Sequence, residues 1–157
     1  MSIQKAKEHL ARFGAEGRVL EFEVSSATVE LAAQAVGCEP ARIAKTLSFR
    51  TDSGVILIVA AGDVKIDNPK YKARFGCKAR MLAFEEVEPE IGHAVGGVCP
   101  FGVNAGVTVF LDESLRRFET VFPACGSSNS AIELTIPELE QFSGCEAWVD
   151  VCKGWRE

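Results

Sequence analysis

The sequence reads TLSFRTDSGVILIVAA at residues 46–61. Asp52, Ser53 and Gly54 are residue types that favour tight turns, and they separate two runs of apolar and β-branched residues. The second run, at residues 55–61, contains no charged residue, as is typical of a buried strand. We therefore predict a β-hairpin with strands at residues 46–50 and 55–61.

Helical and strand patterns alternate on both sides of this hairpin. Apolar residues at helical spacing predict helices, with Ser25 and Ser26 as candidate N-caps of the second, and alternating apolar residues predict strands. Because no repeat or linker interrupts the pattern, we expect a single α/β domain over residues 1–157 with a mixed sheet. The further predicted helices cover residues 2–13, 28–36, 67–76, 84–91 and 137–142, and the further predicted strands cover residues 18–24, 79–82, 107–111, 120–124, 131–135 and 147–151.

The composition is that of a globular protein that can bury a core. The 157 residues are 47% hydrophobic and 25% charged, which argues against a disordered tail or a disulfide-held miniprotein. No apolar run approaches the roughly 20 residues of a membrane-spanning helix, and the first residues are too polar for a secretory signal. We therefore expect a cytoplasmic protein with no membrane partner.

Cysteine and histidine spacing argues against a metal site. No two of the six cysteines form a C-x-x-C pair, and neither His9 nor His93 belongs to a cluster of potential ligands. We expect free thiols that pack as small apolar residues, with both histidines facing solvent and no metal or other cofactor. One nucleophilic arrangement stays open, because Cys99 and His93 fall in the same loop.

Positive charge is concentrated in one segment. The chain carries a net charge of −5, but residues 65–80 carry +5, with Asp67 as the only acid among them. The segment is either a solvated helix face or a small patch that binds a few phosphates, as at the end of a nucleic acid. Its basic residues are Lys65, Lys70, Lys72, Arg74, Lys78 and Arg80.

Two features could carry chemistry. The loop at residues 92–106 contains Gly96, Gly97 and Pro100, and such a loop can direct several backbone N–H groups at one point, as an oxyanion site requires. Lys45 is a lone cation among apolar residues, where a helical turn that Pro40 opens is predicted to give way to a strand. Such a lysine either extends to water or points into a cleft.

The chain resembles the YbaK/prolyl-tRNA synthetase-associated domain family of aminoacyl-tRNA deacylases from about residue 19 to residue 151. The resemblance is carried by Ile43-Ala44-Lys45-Thr46-Leu47, by the loop from Gly96 to Pro100 with Phe101-Gly102, and by Cys125-Gly126-Ser127-Ser128-Asn129. It implies a barrel-like mixed sheet flanked by helices. It also implies hydrolysis of the ester that links a wrong amino acid to the 3′ end of a tRNA, by a freestanding protein that acts in trans.

The same resemblance implies roles for individual residues. Lys45, Gly96, Gly97 and Pro100 match the catalytic positions, and the basic segment would contact the tRNA acceptor end. The residues at positions 127–129 are Ser-Ser-Asn rather than the basic type of the cysteine-specific branch, which favours tRNA(Pro) carrying a small wrong amino acid. Prolyl-tRNA synthetase is a candidate partner. The implied substrate-binding residues are Phe22, Thr28, Val29, Thr46, Val98, Cys99, Gly126 and Ser127.

Two other functions remain open at the level of sequence. A module of the same fold could bind tRNA or a synthetase without catalysis, because a fold alone does not determine function. Alternatively, Cys99 could serve as the nucleophile of a thiol enzyme.

Overall fold

A computed structural model describes residues 2–155 of the chain. Five α-helices and ten β-strands lie in this range, with short 3₁₀ turns at Glu16–Arg18, Pro40–Arg42 and Glu113–Arg117. The helices are α1 (Ser2–Ala11), α2 (Val29–Val36), α3 (Asn68–Phe75), α4 (Phe84–Ile91) and α5 (Ile136–Ser143). The strands are β1 (Leu20–Glu21), β2 (Ile43–Thr51), β3 (Gly54–Ala61), β4 (Lys65–Ile66), β5 (Thr108–Asp112), β6 (Thr120–Pro123), β7 (Ser130–Ala131), β8 (Leu134–Thr135), β9 (Ala147–Val149) and β10 (Cys152–Lys153).

Six strands form the principal sheet, in the order β8-β6-β2-β3-β5-β9. The predicted hairpin, β2 and β3, is antiparallel and lies at its centre, while β6, β5 and β9 each pair in parallel with a neighbour. The pairs β1–β7 and β4–β10 lie outside this sheet. The predicted α/β class with a mixed, barrel-like sheet is confirmed.

The pairing along one edge of β2 is interrupted. Its first residues, Ile43 and Ala44, pair with β6. Further along the strand, Ser48 O accepts a hydrogen bond from Leu82 N at 3.3 Å, and Arg50 N donates to Arg80 O at 2.9 Å. In the described part of the chain, no strand pairs with this edge at residues 45–47. A gap therefore opens in the sheet beside the middle of β2.

Apolar side chains are buried in two separate clusters. The larger one surrounds β3, whose residues 55–61 are at most 8% exposed, and it contains most of the apolar side chains of the sheet. The smaller one consists of Ala32, Ala33, Ile43 and Phe122 and joins α2 to β2 and β6. This small cluster borders the gap beside β2.

Several predicted strands are shorter in the structure, and the one predicted at residues 79–82 is reduced to a single β-bridge between Met81 and Phe49. The strand predicted at residues 18–24 is reduced to β1, since its partner β7 has only two residues. The segment at residues 131–135 divides, because β7 pairs with β1 whereas β8 pairs with β6. The strand predicted at residues 147–151 ends at Val149, and Val151 N instead donates to the Asp112 carboxylate at 2.9 Å.

The N-cap of α2 differs from the predicted one. Thr28, rather than Ser25 or Ser26, caps α2, because its Oγ1 accepts a hydrogen bond from Leu31 N at 3.2 Å. Asp67 caps α3 in the same way through Lys70 N at 3.1 Å.

Within residues 2–155, no helix is long and apolar enough to cross a membrane.

Candidate active site

A cavity of about 310 Å³ occupies the gap beside β2. One part of its lining is apolar and includes the small cluster of α2, β2 and β6, and the glycine-rich loop and the start of α4 supply other parts. Six separate segments of the chain supply its surface, since Ser130 and Ala131 of β7 also line it. The predicted site residues that line it are Thr28, Val29, Lys45, Thr46, Gly96 and Val98.

Lys45 brings a positive charge to this cavity. It is the third residue of β2, not a residue at the boundary of the strand as predicted, because the pairing of β2 with β3 extends back to Ala44. Its half-buried Nζ donates hydrogen bonds to Gly62 O, at 3.4 Å, and to Val64 O. Burial lowers the pKa of Lys45 from its usual value. The two carbonyl groups hold the ammonium group in one place, so the site is preorganised around a fixed cation.

Gly62 is part of this arrangement, and the sequence interpretation missed it. A Cβ at this position would overlap Pro40 O and would lie 2.7 Å from Val29 Cγ1. Only glycine therefore lets the end of β3 pack this closely against the 3₁₀ turn while its carbonyl group binds Lys45. The available signal was a glycine directly after the apolar run at residues 55–61.

The two adjacent glycines of the loop serve different purposes. Gly96 adopts a left-handed φ of 94°, and its backbone lines the cavity. Gly97 is buried, and a Cβ there would lie 2.5 Å from Ser127 N and 2.6 Å from the carbonyl carbon of Gly126. Gly97 N donates to Ala94 O at 3.0 Å, so this N–H is already used within the loop. Gly96 and Val98 therefore remain the loop residues best placed to offer backbone groups to a ligand.

Cys99 and Pro100 belong to the glycine-rich loop, but they are buried and do not line the cavity. Cys99 Sγ is 3.5 Å from His93 Nε2 and 3.6 Å from Phe101 O, and both side chains are completely buried. Burial raises the pKa of Cys99 to about 12 and lowers that of His93. The pair that the sequence left open is therefore in contact, but the thiol is protonated and inaccessible to substrate.

The prediction that both histidines face solvent is wrong. His93 is buried, with Nε2 at 2.6 Å from Phe101 O, and the carbonyl group holds the ring inside the loop. His9 is half-buried, and its Nε2 lies 2.5 Å from Phe142 O. Local sequence gave no signal for either position, because both contacts depend on how distant segments pack.

The burial of these groups predicts the pattern of thiol reactivity. Alkylation of the native protein with iodoacetamide should modify the partly exposed thiols and spare the three buried ones, since the thiolate is the reactive form. Peptide mapping by mass spectrometry measures this, and alkylation of Cys99 at the rate of the exposed thiols would contradict it. The expected reactive set is Cys38, Cys77 and Cys145, and the protected set is Cys99, Cys125 and Cys152.

Gly126 and Ser127 support the site from behind and do not line the cavity. Ser127 Oγ is hydrogen-bonded to Ser130 Oγ at 2.6 Å, and Ser130 in turn lies at the cavity surface. Phe22 is also outside the cavity, where its carbonyl group accepts a hydrogen bond from Asn129 Nδ2 at 2.9 Å. None of these three predicted substrate-binding residues therefore lines the cavity.

Hydroxyl groups line the cavity, and among them only Thr28 and Thr46 were predicted. Ser26 Oγ and Thr46 Oγ1 are buried and have no hydrogen-bond partner among the described residues, and Ser48 and Ser130 also line the cavity. Among the described residues that line it, none is an aspartate, a glutamate or a histidine. The site can thus offer one cation, hydroxyl groups and backbone groups, but no carboxylate or imidazole from the described lining residues to act as a general base.

The predicted phosphate-binding residues do not line the cavity, and they differ in how free they are to bind. Lys70 is engaged, with Nζ at 3.1 Å from Asp150 Oδ1 and 3.2 Å from Cys152 O. Lys72 and Lys78 are exposed and border a second groove of about 500 Å³. Lys65, Arg74 and Arg80 are also exposed.

The sequence and the fold both match known proteins. The model of the aminoacyl-tRNA editing domain matches residues 23–142. The uncharacterized protein YwhH of Bacillus subtilis is 57% identical over 156 residues, which cover 99% of each chain. A proline–tRNA ligase of Shouchella clausii is 31% identical over 104 residues, which cover 66% of this chain and 18% of the ligase. A crystal structure described as a candidate trans-editing enzyme for prolyl tRNA synthetase has a TM-score of 0.87 at 32% identity and covers 98% of both chains.

Proposed function

Because this chain belongs to the aminoacyl-tRNA editing domain family, as its sequence resemblance predicts, we propose that it is a trans-acting deacylase of mischarged tRNA. This family is related to the proteins that edit the products of prolyl-tRNA synthetase. The proposed substrate is tRNA(Pro) esterified with a small wrong amino acid, and the proposed location is the cytoplasm, with prolyl-tRNA synthetase as a candidate partner.

One observation carries this proposal: the fixed cation of Lys45 and the backbone of Gly96 face the same cavity. An aminoacyl ester is already activated, so its hydrolysis needs orientation and stabilisation of charge more than it needs a side-chain nucleophile. The cavity offers these two effects. It does not offer a general base that could activate one of its serine hydroxyl groups.

In the proposed reaction, the oxygen of a water molecule attacks the ester carbonyl carbon. The negative charge that develops on the carbonyl oxygen is stabilised by backbone N–H groups of Gly96 or Val98. The bond to the ribose oxygen then breaks, and a proton from the attacking water passes to that oxygen, directly or through the adjacent ribose hydroxyl. The products are the free amino acid and a tRNA with an intact 3′ end.

Lys45 fixes the terminal nucleotide in this proposal. Its Nζ is held by two carbonyl oxygens and keeps donor capacity, because an ammonium group has three N–H bonds. A phosphate or ribose oxygen of the acceptor end would receive the third one. Lys45 therefore acts by placing the ester against the glycine loop.

The apolar wall explains the proposed selectivity for small side chains. Val29, Ile43 and Phe122 lie at the cavity surface and form an apolar part of its lining. A single binding site discriminates poorly between amino acids that differ by one or two methylene groups, by about 10- to 200-fold. A second pocket that is too small for the correct amino acid removes the remaining errors, because only the smaller, wrong amino acid can enter it and be hydrolysed.

The experiment that tests the proposal is a deacylation panel. The purified chain is mixed with tRNA(Pro) charged with alanine, cysteine or proline, and with tRNAs charged with serine or threonine. We expect rapid release of a small wrong amino acid and no release of proline. If every ester in the panel stays intact while the tRNA binds, the chain is a non-catalytic binding module instead.

A Cys99→Ser variant should keep wild-type deacylation, and its inactivity would support the thiol mechanism.

We also propose that the exposed part of the basic segment contacts the acceptor end. Five of its six cations are exposed, whereas Lys70 is paired with Asp150. In a plot of log binding constant against log salt concentration, the slope for a duplex has a magnitude of about 0.9 for each neutralised phosphate. With five exposed cations, the magnitude for this chain should therefore not exceed about 4 to 5. Replacing Lys72 and Lys78 together by alanine should reduce the slope by about 2. Binding titrations at several salt concentrations measure it, with Arg12→Ala as the control, and an affinity that is independent of salt would remove the segment from the interface.

A further inference from the structure

Two large apolar side chains stand exposed at the mouth of the cavity. Phe84, the first residue of α4, is 76% exposed, and Met81 is 58% exposed. Both side chains belong to the cavity lining. Leu82, between them in the chain, is 8% exposed and packs in the core. A phenylalanine with three quarters of its surface in water forgoes hydrophobic stabilisation, and its position at the entrance to a site points to a contact with a ligand.

The segment that carries these side chains is held firmly on β2. Met81 forms a β-bridge with Phe49, and Leu82 N donates to Ser48 O at 3.3 Å. At the start of α4, Glu86 Oε1 accepts a hydrogen bond from Ala83 N at 2.9 Å, and Glu86 Oε2 accepts one from Arg50 Nη2 at the same distance. The segment that carries Phe84 is thus attached to β2 twice, by backbone pairing before α4 and by the ion pair between Arg50 and Glu86.

We propose that Phe84 and Met81 form the platform on which the base of the 3′-terminal nucleoside stacks. Proteins bind single-stranded ends by combining cations that contact the backbone with aromatic rings that stack on the bases. Lys45 lies in the same cavity, and the exposed Arg80 directly precedes Met81 in the chain. This inference rests on the proposed function, because it identifies the part of the site that receives the nucleoside, as distinct from the amino acid.

The test separates stacking from a structural role by changing both partners. An uncharged acceptor-stem minihelix that ends in adenosine is compared with one whose last nucleotide lacks its base. Phe84→Ala should weaken binding of the first by about tenfold, the effect expected for loss of one stacked base, and should leave binding of the second unchanged. Phe84→Tyr, which retains the ring, should bind both as the wild type does.

Leu31→Ala is the matched control, because Leu31 is 40% exposed and lies outside the cavity lining. The proposal is overturned if Phe84→Ala weakens both minihelices equally, or neither of them. Since the minihelix carries no ester, the result does not depend on catalysis. A wild-type protein that deacylates nothing in the panel but shows the base-dependent effect would refute the proposed reaction and keep the stacking site.

Discussion

Replacement of Lys45 by alanine should lower kcat/KM for deacylation by at least about a hundredfold, while the protein stays folded. A preorganised donor in an active site contributes about 10² to 10³ in rate, and Lys45 is the only cation among the described cavity-lining residues. The loss of its side chain removes both the charge and the hydrogen bonds to Gly62 O and Val64 O. Single-turnover deacylation of a mischarged tRNA measures the effect.

Two further variants keep this prediction falsifiable. Lys45→Met preserves most of the side-chain volume and removes only the charged end, so its inactivity cannot be assigned to a collapsed cavity wall. Lys153→Ala removes an exposed lysine outside the cavity and should have no effect. If folded Lys45→Ala and Lys45→Met proteins retain full activity, the proposed mechanism is wrong.

Gly97→Ala should abolish deacylation to a similar extent through a different cause. The new Cβ would lie 2.5 Å from Ser127 N and 2.6 Å from the carbonyl carbon of Gly126. These are backbone atoms and cannot turn aside as a flexible side chain can, so the loop must move away from the turn at residues 125–129. Overpacking of this kind costs about 1–3 kcal/mol in stability, and a displacement of about 1 Å in an active site can cost about a hundredfold in rate.

Gly17→Ala provides the control for this substitution. Within residues 2–155, no atom lies within 4 Å of the position that a Cβ on Gly17 would occupy, and the φ of Gly17 is not left-handed. Urea unfolding and deacylation should therefore both stay close to wild type for Gly17→Ala and both change for Gly97→Ala. An active and stable Gly97→Ala protein would show that the loop does not need its close contact with the neighbouring turn.

The central hairpin was predictable because its signals are local. Turn residues at positions 52–54 and an uncharged run at residues 55–61 suffice to identify β2 and β3. The first residues of β2 were missed, because they become a strand only through pairing with β6 and with the end of β3. Lys45 was consequently placed at the boundary of the strand, although its side chain reaches the cavity.

The candidate site was predictable only in part. Lys45 and the glycine loop could be selected from residue type and family resemblance, and the structure brings Lys45 and Gly96 to one cavity. Ser26, Phe84 and Phe122 could not be selected, because their place at the surface of that cavity depends on which distant strands pair. The same limit explains the error at His93, whose burial follows from the packing of its loop.

The division of buried apolar residues into two clusters bears on how relatives of this protein diverge. Ala32, Ile43 and Phe122 face the cavity from the small cluster, whereas the side chains of β3 belong to the large one. A substitution at one of these three residues can therefore enlarge or narrow the cavity and be absorbed by a few neighbours without disturbing the packing around β3. Natural variation in the small cluster can change the size and shape of this recess while the architecture is inherited unchanged.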